Sequence, residues 1–469
     1  MSCPVFPKPT KSKASLWKVF FSKRHSWLNA LYERSYSMKM GEFRLPGMTL
    51  YMINQPELVR RVMVSETEQF PKHQLLADIL SPLLGESIFT TNGSQWKKQR
   101  DMLDPAFKHA RVQKVFGLMQ EAVADMSARL HSIDQQPEID IDPVITYATA
   151  DIIFRTIMST KLAPEQANRI LAAFVRFQAE SPKLALLKMF RLPGWLRRGR
   201  KQRDAARVIR TTIEDLLRPR YSEASAARAG CPLSRAALNA RQDILSTLLL
   251  AVDEVTGQPF TFDEIVDQIS MLFLAGHETS ASALSWSLYL LALFPDIQQD
   301  AHLEATRVLA EQPMSVEALK KMVLVRDVFR EALRLYPPVG FLTRECSVAT
   351  EMRDKTMPKD GALVVSPWLI HRHKAFWDNP HGFDPYRFTR DGLKVPLHKS
   401  YLPFGVGPRV CIGAAFAQQE ASLVLATLLR DYRFSLAPDF VPEPVGRLTI
   451  RSANGMKLVL LRRKSQVST

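Results

Sequence analysis

Phe404-Gly405-Val406-Gly407-Pro408-Arg409-Val410-Cys411-Ile412-Gly413 decides how this chain is read. Glycines at 405, 407 and 413 let the backbone turn tightly and approach a flat object closely. Arg409 offers a fixed fork of donors that suits a carboxylate. From Ala414 to about Arg430 the apolar residues Phe416, Leu423, Leu425, Leu428 and Leu429 recur among Ala and Gln, which predicts a helix. Cys411 is thereby placed just ahead of a helix N-terminus, where amide N–H groups and the helix dipole favour a thiolate over a thiol. An ordinary free cysteine is a buried, inert core residue. A thiolate in a glycine-rich loop, two residues from an arginine, is instead a soft metal ligand beside an anion receptor. Haem iron suits both, because the porphyrin carries propionates.

The stretch resembles the haem loop of the cytochrome P-450 superfamily, FxxGxRxCxG, at Phe404, Gly407, Arg409, Cys411 and Gly413. Three more motifs in the family's order extend the resemblance over nearly the whole chain. The first is Trp96 and Arg100, four apart on one helix face, with Pro105 expected to end that helix. By resemblance both side chains lie against a haem propionate, and Lys97 and Lys98 point outward as docking candidates for an acidic electron donor.

The second lies in the longest expected helix. Thr261 and Glu264 make a capping box, and Pro295 stops the run, so Phe262 to Phe294 spans roughly 50 Å. Apolar residues occur on most of its faces, as in a helix crossing a protein interior. Its middle reads Ala275-Gly276-His277-Glu278-Thr279-Ser280. Polar groups there are costly without partners, Gly276 admits a close neighbour, and Thr279 can bond back to the preceding turn and bend the helix. The segment matches the family's (A/G)Gx(D/E)T(T/S). The resemblance implies that Thr279 hydrogen-bonds oxygen at the iron or an ordered water. Glu278 is implied to feed protons towards it, and His277 is not implied to be a ligand.

The third is Glu331-Ala332-Leu333-Arg334, whose spacing puts both charges on one helix face. An exposed pair of this kind is worth little. In the family it is buried and joined by a later arginine, here Arg387 in Phe383-Asp384-Pro385-Tyr386-Arg387-Phe388, where Tyr386 stands in place of the usual Glu. Arg344, ten residues past Arg334, stands where many family members place a propionate-binding arginine.

Composition sets outer bounds. The chain has 469 residues, 46% hydrophobic and 23% charged, an ordinary globular balance with no linker and no repeat. Sixty-three Lys and Arg against 47 Asp and Glu leave a net charge of +16. That favours an acidic partner or a membrane surface, and no basic run interleaved with aromatics points to nucleic acid. The cysteines, Cys3, Cys231, Cys346 and Cys411, form no CxxC pair and no disulfide framework, which fits a reducing compartment. Met1 to Ser15 lacks an apolar core long enough for a signal or anchor, so a cytoplasmic protein of the soluble bacterial type is expected.

Between the motifs, Leu16 to Tyr36 reads as an amphipathic helix, Phe43 to Ile53 as strand, and Pro56 to Val64 as helix. Gln74 to Ile88 corresponds to a family loop that lines the substrate pocket. Ile139 to Leu217 reads mostly as helices. Leu184 to Arg200 mixes apolar and basic residues and corresponds to the pocket's mobile roof, a candidate for peripheral membrane or lipid contact. Glu223 to Ala240 reads as a surface loop. Ala362 to Val365 resembles the family's sheet and Arg447 to Arg451 a late hairpin. Residues 1–15 and 462–469 read as flexible ends.

The resemblance implies a mainly α fold with a small β region, one haem domain across residues 1–469. Cys411 is the implied iron ligand of haem b, with Trp96, Arg100, Arg344, Phe404, Arg409 and Gly413 around the porphyrin. Glu278 and Thr279 are the implied proton relay, and Glu331, Arg334 and Arg387 the structural triad. Leu75, Leu76, Ile79, Leu80, Leu274, Ala275, Val339, Phe341 and Leu342 are expected to line an apolar pocket for a lipophilic substrate. The implied reaction inserts one atom of dioxygen into that substrate. No GxGxxG unit and no cysteine cluster is present. Electrons from NAD(P)H are therefore expected through a ferredoxin with its reductase, or a flavoprotein reductase. A peroxide-driven peroxygenase and a non-catalytic haem-thiolate sensor are the alternatives, and the Glu278–Thr279 pair weighs against both.

Overall fold

The structure is a computed structural model that describes residues 3–12, 26–45, 48–161, 163–189, 199–241, 243–390 and 393–463. Strand formers such as Thr49, Tyr51 and Ile53 place Met40–Leu45 (β1) and Met48–Ile53 (β2) in an antiparallel pair, Phe43 opposite Leu50. Helices follow: Gln74–Leu84 (α1), Gly93–Phe107 (α2), Ile141–Met158 (α3), Pro164–Met189 (α4) and Arg200–Arg228 (α5). The central helix is Phe262–Leu293 (α6), 32 residues long. Val323–Leu335 (α7) leads to strands Leu342–Glu345 (β3) and Ala362–Val365 (β4). Ala414–Asp431 (α8) runs out of the Cys411 loop and continues into Tyr432–Leu436 (β5). Pro444–Gly446 (β6), Ile450–Ser452 (β7) and Lys457–Arg462 (β8) close the chain.

The fold is mainly helical, with small sheets at its margins. One has the order β1-β2-β4-β3, where β2 and β4 are parallel and the other pairs antiparallel. A second joins β8 to β5 and to Ile139–Asp140, and a third pairs β6 with β7.

α6 begins as its capping box predicts: the Thr261 amide donates to Glu264 Oε2 at 2.8 Å, and the Glu264 amide to Thr261 Oγ1 at 3.2 Å. It packs against α3, α5 and α7, and its apolar residues bury on nearly every face. One short strip differs: Ala275, Gly276 and Thr279 stay partly accessible in a helix otherwise buried around them. Spacing i, i+1, i+4 puts those three on one side.

Several expectations need correction. Pro105 lies inside α2, which runs on to Phe107 because Met102, Leu103 and Ala106 are packed in the core. Gln74 to Leu84 is a helix rather than a loop, since Leu80, Leu83 and Leu84 anchor one face of it. Glu223 to Ala240 is also helical, divided between α5 and Pro232–Ala240. Its alanines are the strongest helix formers, and Arg241 pairs with Glu223 across the break. Of the expected helix from Leu16 to Tyr36, the described part is two 3₁₀ turns, Trp27–Ala30 and Glu33–Tyr36, with extended Leu31 between them; residues 13–25 lie outside the described residues.

The expected flexible ends are partly fixed. The Val5 amide donates to Tyr289 Oη at 3.1 Å, and Phe6 stacks on His381 with centroids 4.2 Å apart. Arg462 pairs with Asp134 inside β8, while residues 464–469 are not among the described ones. Of the expected roof, 184–189 continues α4 and 190–198 lies outside the described residues. Among the described residues no helix is long and apolar enough to cross a membrane.

Candidate active site

The Cys411 loop is held by its own backbone. The Cys411 amide donates to the Phe404 carbonyl at 2.9 Å, and the Val410 amide to the Gly407 carbonyl at 3.0 Å. Gly405 and Gly407 have φ of +75° and +80°, in the left-handed region that other residues avoid. A Cβ on Gly407 would lie 2.0 Å from the Met63 carbonyl oxygen, so backbone meets backbone there. Gly407→Ala is therefore expected to destabilise the protein by about 2 kcal/mol or more, since both strain and overlap oppose it. Denaturant unfolding checks this; an unchanged midpoint would show that the loop yields freely. Gly413 is different. Its φ is an ordinary −88° as the N-cap of α8, and a Cβ there would lie 4.0 Å from Cys411 Sγ.

Cys411 sits deep in the protein mass, yet its side chain is accessible. A residue with both properties faces an internal space rather than packed atoms. Burial pushes its thiol up, against the opposing pull of the Gly413 N–H and Arg100. The helix N-terminus therefore does not by itself make a thiolate here. A metal cation on the sulfur would, because a coordinated thiol is deprotonated outright. Among the described residues no cluster of three His, Cys, Asp or Glu could hold a bare metal ion. One sulfur facing a space suits a cation that brings its other ligands with it.

Arg409 of the same loop belongs to a group of basic side chains that meet no anion among the described residues. Arg409 Nη1 donates to the carbonyls of Thr67 and Phe70 at 3.3 and 3.1 Å, and its guanidinium lies 5.3 Å from the Trp96 ring centroid. Arg344 Nη1 donates to the Thr343 carbonyl at 2.8 Å. The buried Nε atoms of both arginines have no partner. Lys72, which no motif marks, completes the group: its Nζ donates to the Ile88 carbonyl at 2.6 Å. Asn92 clamps Lys72 from both sides, with Oδ1 accepting the Lys72 amide at 2.9 Å and Nδ2 donating to the Lys72 carbonyl at 3.1 Å.

Burial, then the charges of Arg409 and Arg344, pull Lys72 down to about 6. Burial, then Arg409, pulls Arg344 to about 10, and burial lowers Arg409. Like charges held together out of water call for an anion between them. The two propionates of haem are such an anion, so the residues present fit that group. Arg100 has other partners: its Nε donates to Asp104 at 2.6 Å and its Nη1 to the Val410 carbonyl at 2.8 Å. It braces the thiolate loop directly. Lys97 and Lys98 are paired as well, with Asp101 at 2.5 Å and Glu264 at 3.3 Å.

On α6, Thr279 Oγ1 donates back to the Ala275 carbonyl at 2.6 Å, as expected. The neighbour that Gly276 admits is Ile153, whose Cδ1 would be 2.5 Å from an added Cβ. His277 is buried between Phe174 and Phe273, with Nδ1 2.7 Å from the Phe273 carbonyl. Burial lowers its pKa, so it is neutral.

Glu278 is locked by the late hairpin. Arg451 donates to its two oxygens at 3.1 and 3.0 Å, and Thr449 Oγ1 donates at 2.6 Å. Arg451 also reaches Asp142 at 2.8 Å and Thr146 at 3.1 Å. Burial pushes the Glu278 carboxyl up, but the charge and hydrogen bonds of Arg451 outweigh it and hold the group at about 2. In this arrangement Arg451 holds Glu278 towards its ionised form.

The triad assembles fully. Glu331 and Arg334 are paired bidentately at 2.8 Å for each bond, and Arg387 Nε meets Glu331 Oε1 at 2.9 Å. Tyr386, the departure from the family pattern, donates its hydroxyl to Asp300 at 2.6 Å instead. Among the expected pocket residues, Leu75, Leu76, Ala275, Val339, Phe341 and Leu342 are partly accessible. Ile79, Leu80 and Leu274 are buried in the core, Leu80 at 1% exposure. Phe341 is backed by Trp27, whose ring centroid is 3.9 Å away.

A family model described as Cytochrome P450 matches residues 8–458. Cyclooctatin synthase of Streptomyces melanosporofaciens is 30% identical over 415 residues, which cover 87% of this chain and 86% of that protein. Pentalenene oxygenase of Streptomyces avermitilis is 28% identical over 427 residues, 90% of each. The 11-oxo-beta-amyrin 30-oxidase of Glycyrrhiza uralensis is 27% identical over 426 residues, covering 87% of this chain and 78% of that protein.

Proposed function

This chain belongs to the cytochrome P450 family as one of its monooxygenases, and from that premise we propose that it oxidises a lipophilic organic substrate with electrons delivered by a separate redox partner. The observation that carries the reading is the accessible Cys411 sulfur in a loop whose Arg409 is grouped with Lys72 and Arg344, none of the three meeting an anion among the described residues. Haem b, when bound, supplies the activation of dioxygen and the transfer of one of its atoms to carbon, the other leaving as water.

The protein's part is binding, orientation and proton control. Cys411 is the iron ligand, with Phe404 and Gly413 framing its loop. Lys72, Arg344 and Arg409 neutralise the propionates, with Trp96 under the Arg409 guanidinium. Arg100 steadies the loop through the Val410 carbonyl. Thr279 presents its hydroxyl on the accessible strip of α6 and would turn it from the Ala275 carbonyl to hold a proton or a water there. Glu278 acts while ionised, as an acceptor that orders polar hydrogens near that strip.

Leu75, Leu76, Ala275, Val339, Phe341 and Leu342 supply apolar wall and keep bulk water out. Two relatives are named for acting on pentalenene and 11-oxo-beta-amyrin, and that kind of substrate is carried to this chain as part of the proposal. With no dinucleotide motif and no cysteine cluster in the sequence, a ferredoxin or flavoprotein reductase passes electrons from NAD(P)H. The net charge of +16 suits an acidic donor.

A spectral titration of the haem-loaded protein tests the substrate class. Fatty acids, hydrocarbons and terpenoids are expected to displace water from the iron and shift its absorption. Silence towards every apolar compound, together with tight binding of polar ones, would falsify the assignment.

A further inference from the structure

The helix that leaves the thiolate loop and the helix that carries Thr279 are joined by one acid. Ser280 Oγ donates to Glu420 Oε2 at 2.5 Å, linking α6 to α8 one residue beyond Thr279. Glu420 is 0% exposed. Its other oxygen, Oε1, has no partner. Helices 109–114, 116–133, 295–311 and 316–321, α6, α7 and β5 pack against α8, yet among the described residues no charge acts on this carboxyl, and Ser280 is the polar group that meets it. An ionised carboxylate there would be a buried charge with no counter-ion, which is costly. A carboxylic acid in the same place needs only the serine.

We propose that Glu420 is a positioning residue for the oxygen-facing turn, acting as a neutral acid that pins Ser280 and so fixes how Thr279 is presented. This rests on the monooxygenase reading of the site. Two carboxyls thus flank Thr279 in opposite states. Glu278 is held ionised by Arg451. Glu420 keeps its proton, because burial pushes it up to about 8 against the opposing hydrogen bond from Ser280. Above that value the acid ionises. Having no cation to pair with, it must draw in water or move outward, and the joint loosens.

The test uses haem-loaded protein. With carbon monoxide bound, infrared difference spectra are expected to contain a protonated-carboxyl carbonyl band at neutral pH. That band should be absent from Glu420→Gln and should fade in the wild type as pH rises through about 8. During turnover with a redox partner, Ser280→Ala and Glu420→Ala are expected to lose severalfold more electrons to hydrogen peroxide, with substrate affinity unchanged. Glu420→Gln, which keeps the hydrogen bond without an ionisable group, rescues that leak and removes its rise at alkaline pH. Absence of the band at neutral pH, or a Gln variant that leaks as badly as Ala, overturns the proposal. Should Glu420→Ala fail to fold, the infrared spectra, Ser280→Ala and Glu420→Gln still decide. Failure of the wild type itself to give a thiolate carbon-monoxide band would instead sink the monooxygenase reading.

Discussion

Replacing Cys411 by alanine is expected to abolish the long-wavelength carbon-monoxide band of the reduced protein while leaving the chain folded. Both halves of that expectation come from the geometry. The side chain is accessible and forms no disulfide, so its removal costs the apoprotein about 1 kcal/mol or less. The loop around it is fixed by backbone hydrogen bonds and by Gly405 and Gly407, none of which involves the thiol. The other cysteines do not compete. Cys346 is fully buried, with its thiol pushed to about 11 by burial, so Cys346→Ala leaves the band in place. Cys3 and Cys231 are far along the chain and belong to no comparable loop. A band that persists in Cys411→Ala would mean that another group holds the iron, and the proposed function would fall with it.

The cations around that loop argue the same point from the opposite side. Burial lowers the proton affinity of Lys72, Arg344 and Arg409 alike; the charges of Arg409 and Arg344 lower Lys72 further, and that of Arg409 lowers Arg344 further. A fold does not gather three such groups out of water for its own stability, since each carries a desolvation penalty and repels the others. Their arrangement is intelligible as half of an interaction whose other half is a dianion. Arg100, by contrast, meets Asp104 and the Val410 carbonyl within the protein, which ties α2 to the loop.

What could be read from sequence followed the range of each physical rule. The capping box at Thr261 and Glu264, the back-bond of Thr279 and the start of α8 depend on residues a turn apart, and all three occur as expected. Glu331 and Arg334 are also a turn apart; the triad's long-range member, Arg387, was placed by family resemblance alone. The parts of Lys72 and of Arg451 as the partner of Glu278 are not legible for the reason that Arg387's would not be: their partners lie far along the chain, and a lone basic residue has no local signature.

Glu278 shows the sharper lesson. Its motif marks a carboxyl for proton relay, whereas the proton affinity of that carboxyl is set by what faces it, here Arg451 on a hairpin 173 residues away, which no local pattern shows. The mistaken loops at 74–88 and 223–240 have a different origin. Family analogy and composition point to loops there, while the helical spacing of Leu80, Leu83 and Leu84 and the helix propensity of alanine point to the helices that form.

The second large effect is expected at Glu331, where Glu331→Gln should destabilise the haem-loaded protein by about 3–5 kcal/mol. Glu331 and Arg334 are each 0% exposed. The carboxylate is bidentate to Arg334, meets Arg387, and also accepts the Asp384 amide at 3.1 Å. The amide of Gln cannot neutralise two buried guanidinium groups, and one of its ends presents N–H where an arginine already donates. Arg334 is held in place regardless by the carbonyls of His371, Pro380 and Gly382, at 2.8, 2.7 and 2.8 Å. It cannot swing out to water, so its charge stays stranded. The matching change at the half-exposed Arg61–Glu66 pair, 2.9 Å apart, is expected to cost under about 1 kcal/mol, because solvent already screens that pair. Against a typical total of about 5–15 kcal/mol, the first change removes a large share of the fold's margin and the second almost none. Denaturant midpoints for Glu331→Gln and Glu66→Gln, measured side by side on haem-loaded protein, make the comparison. Equal small shifts would mean that the triad is no more than another ion pair, and that the segment from Asp378 to Phe388 is held against α7 by packing alone.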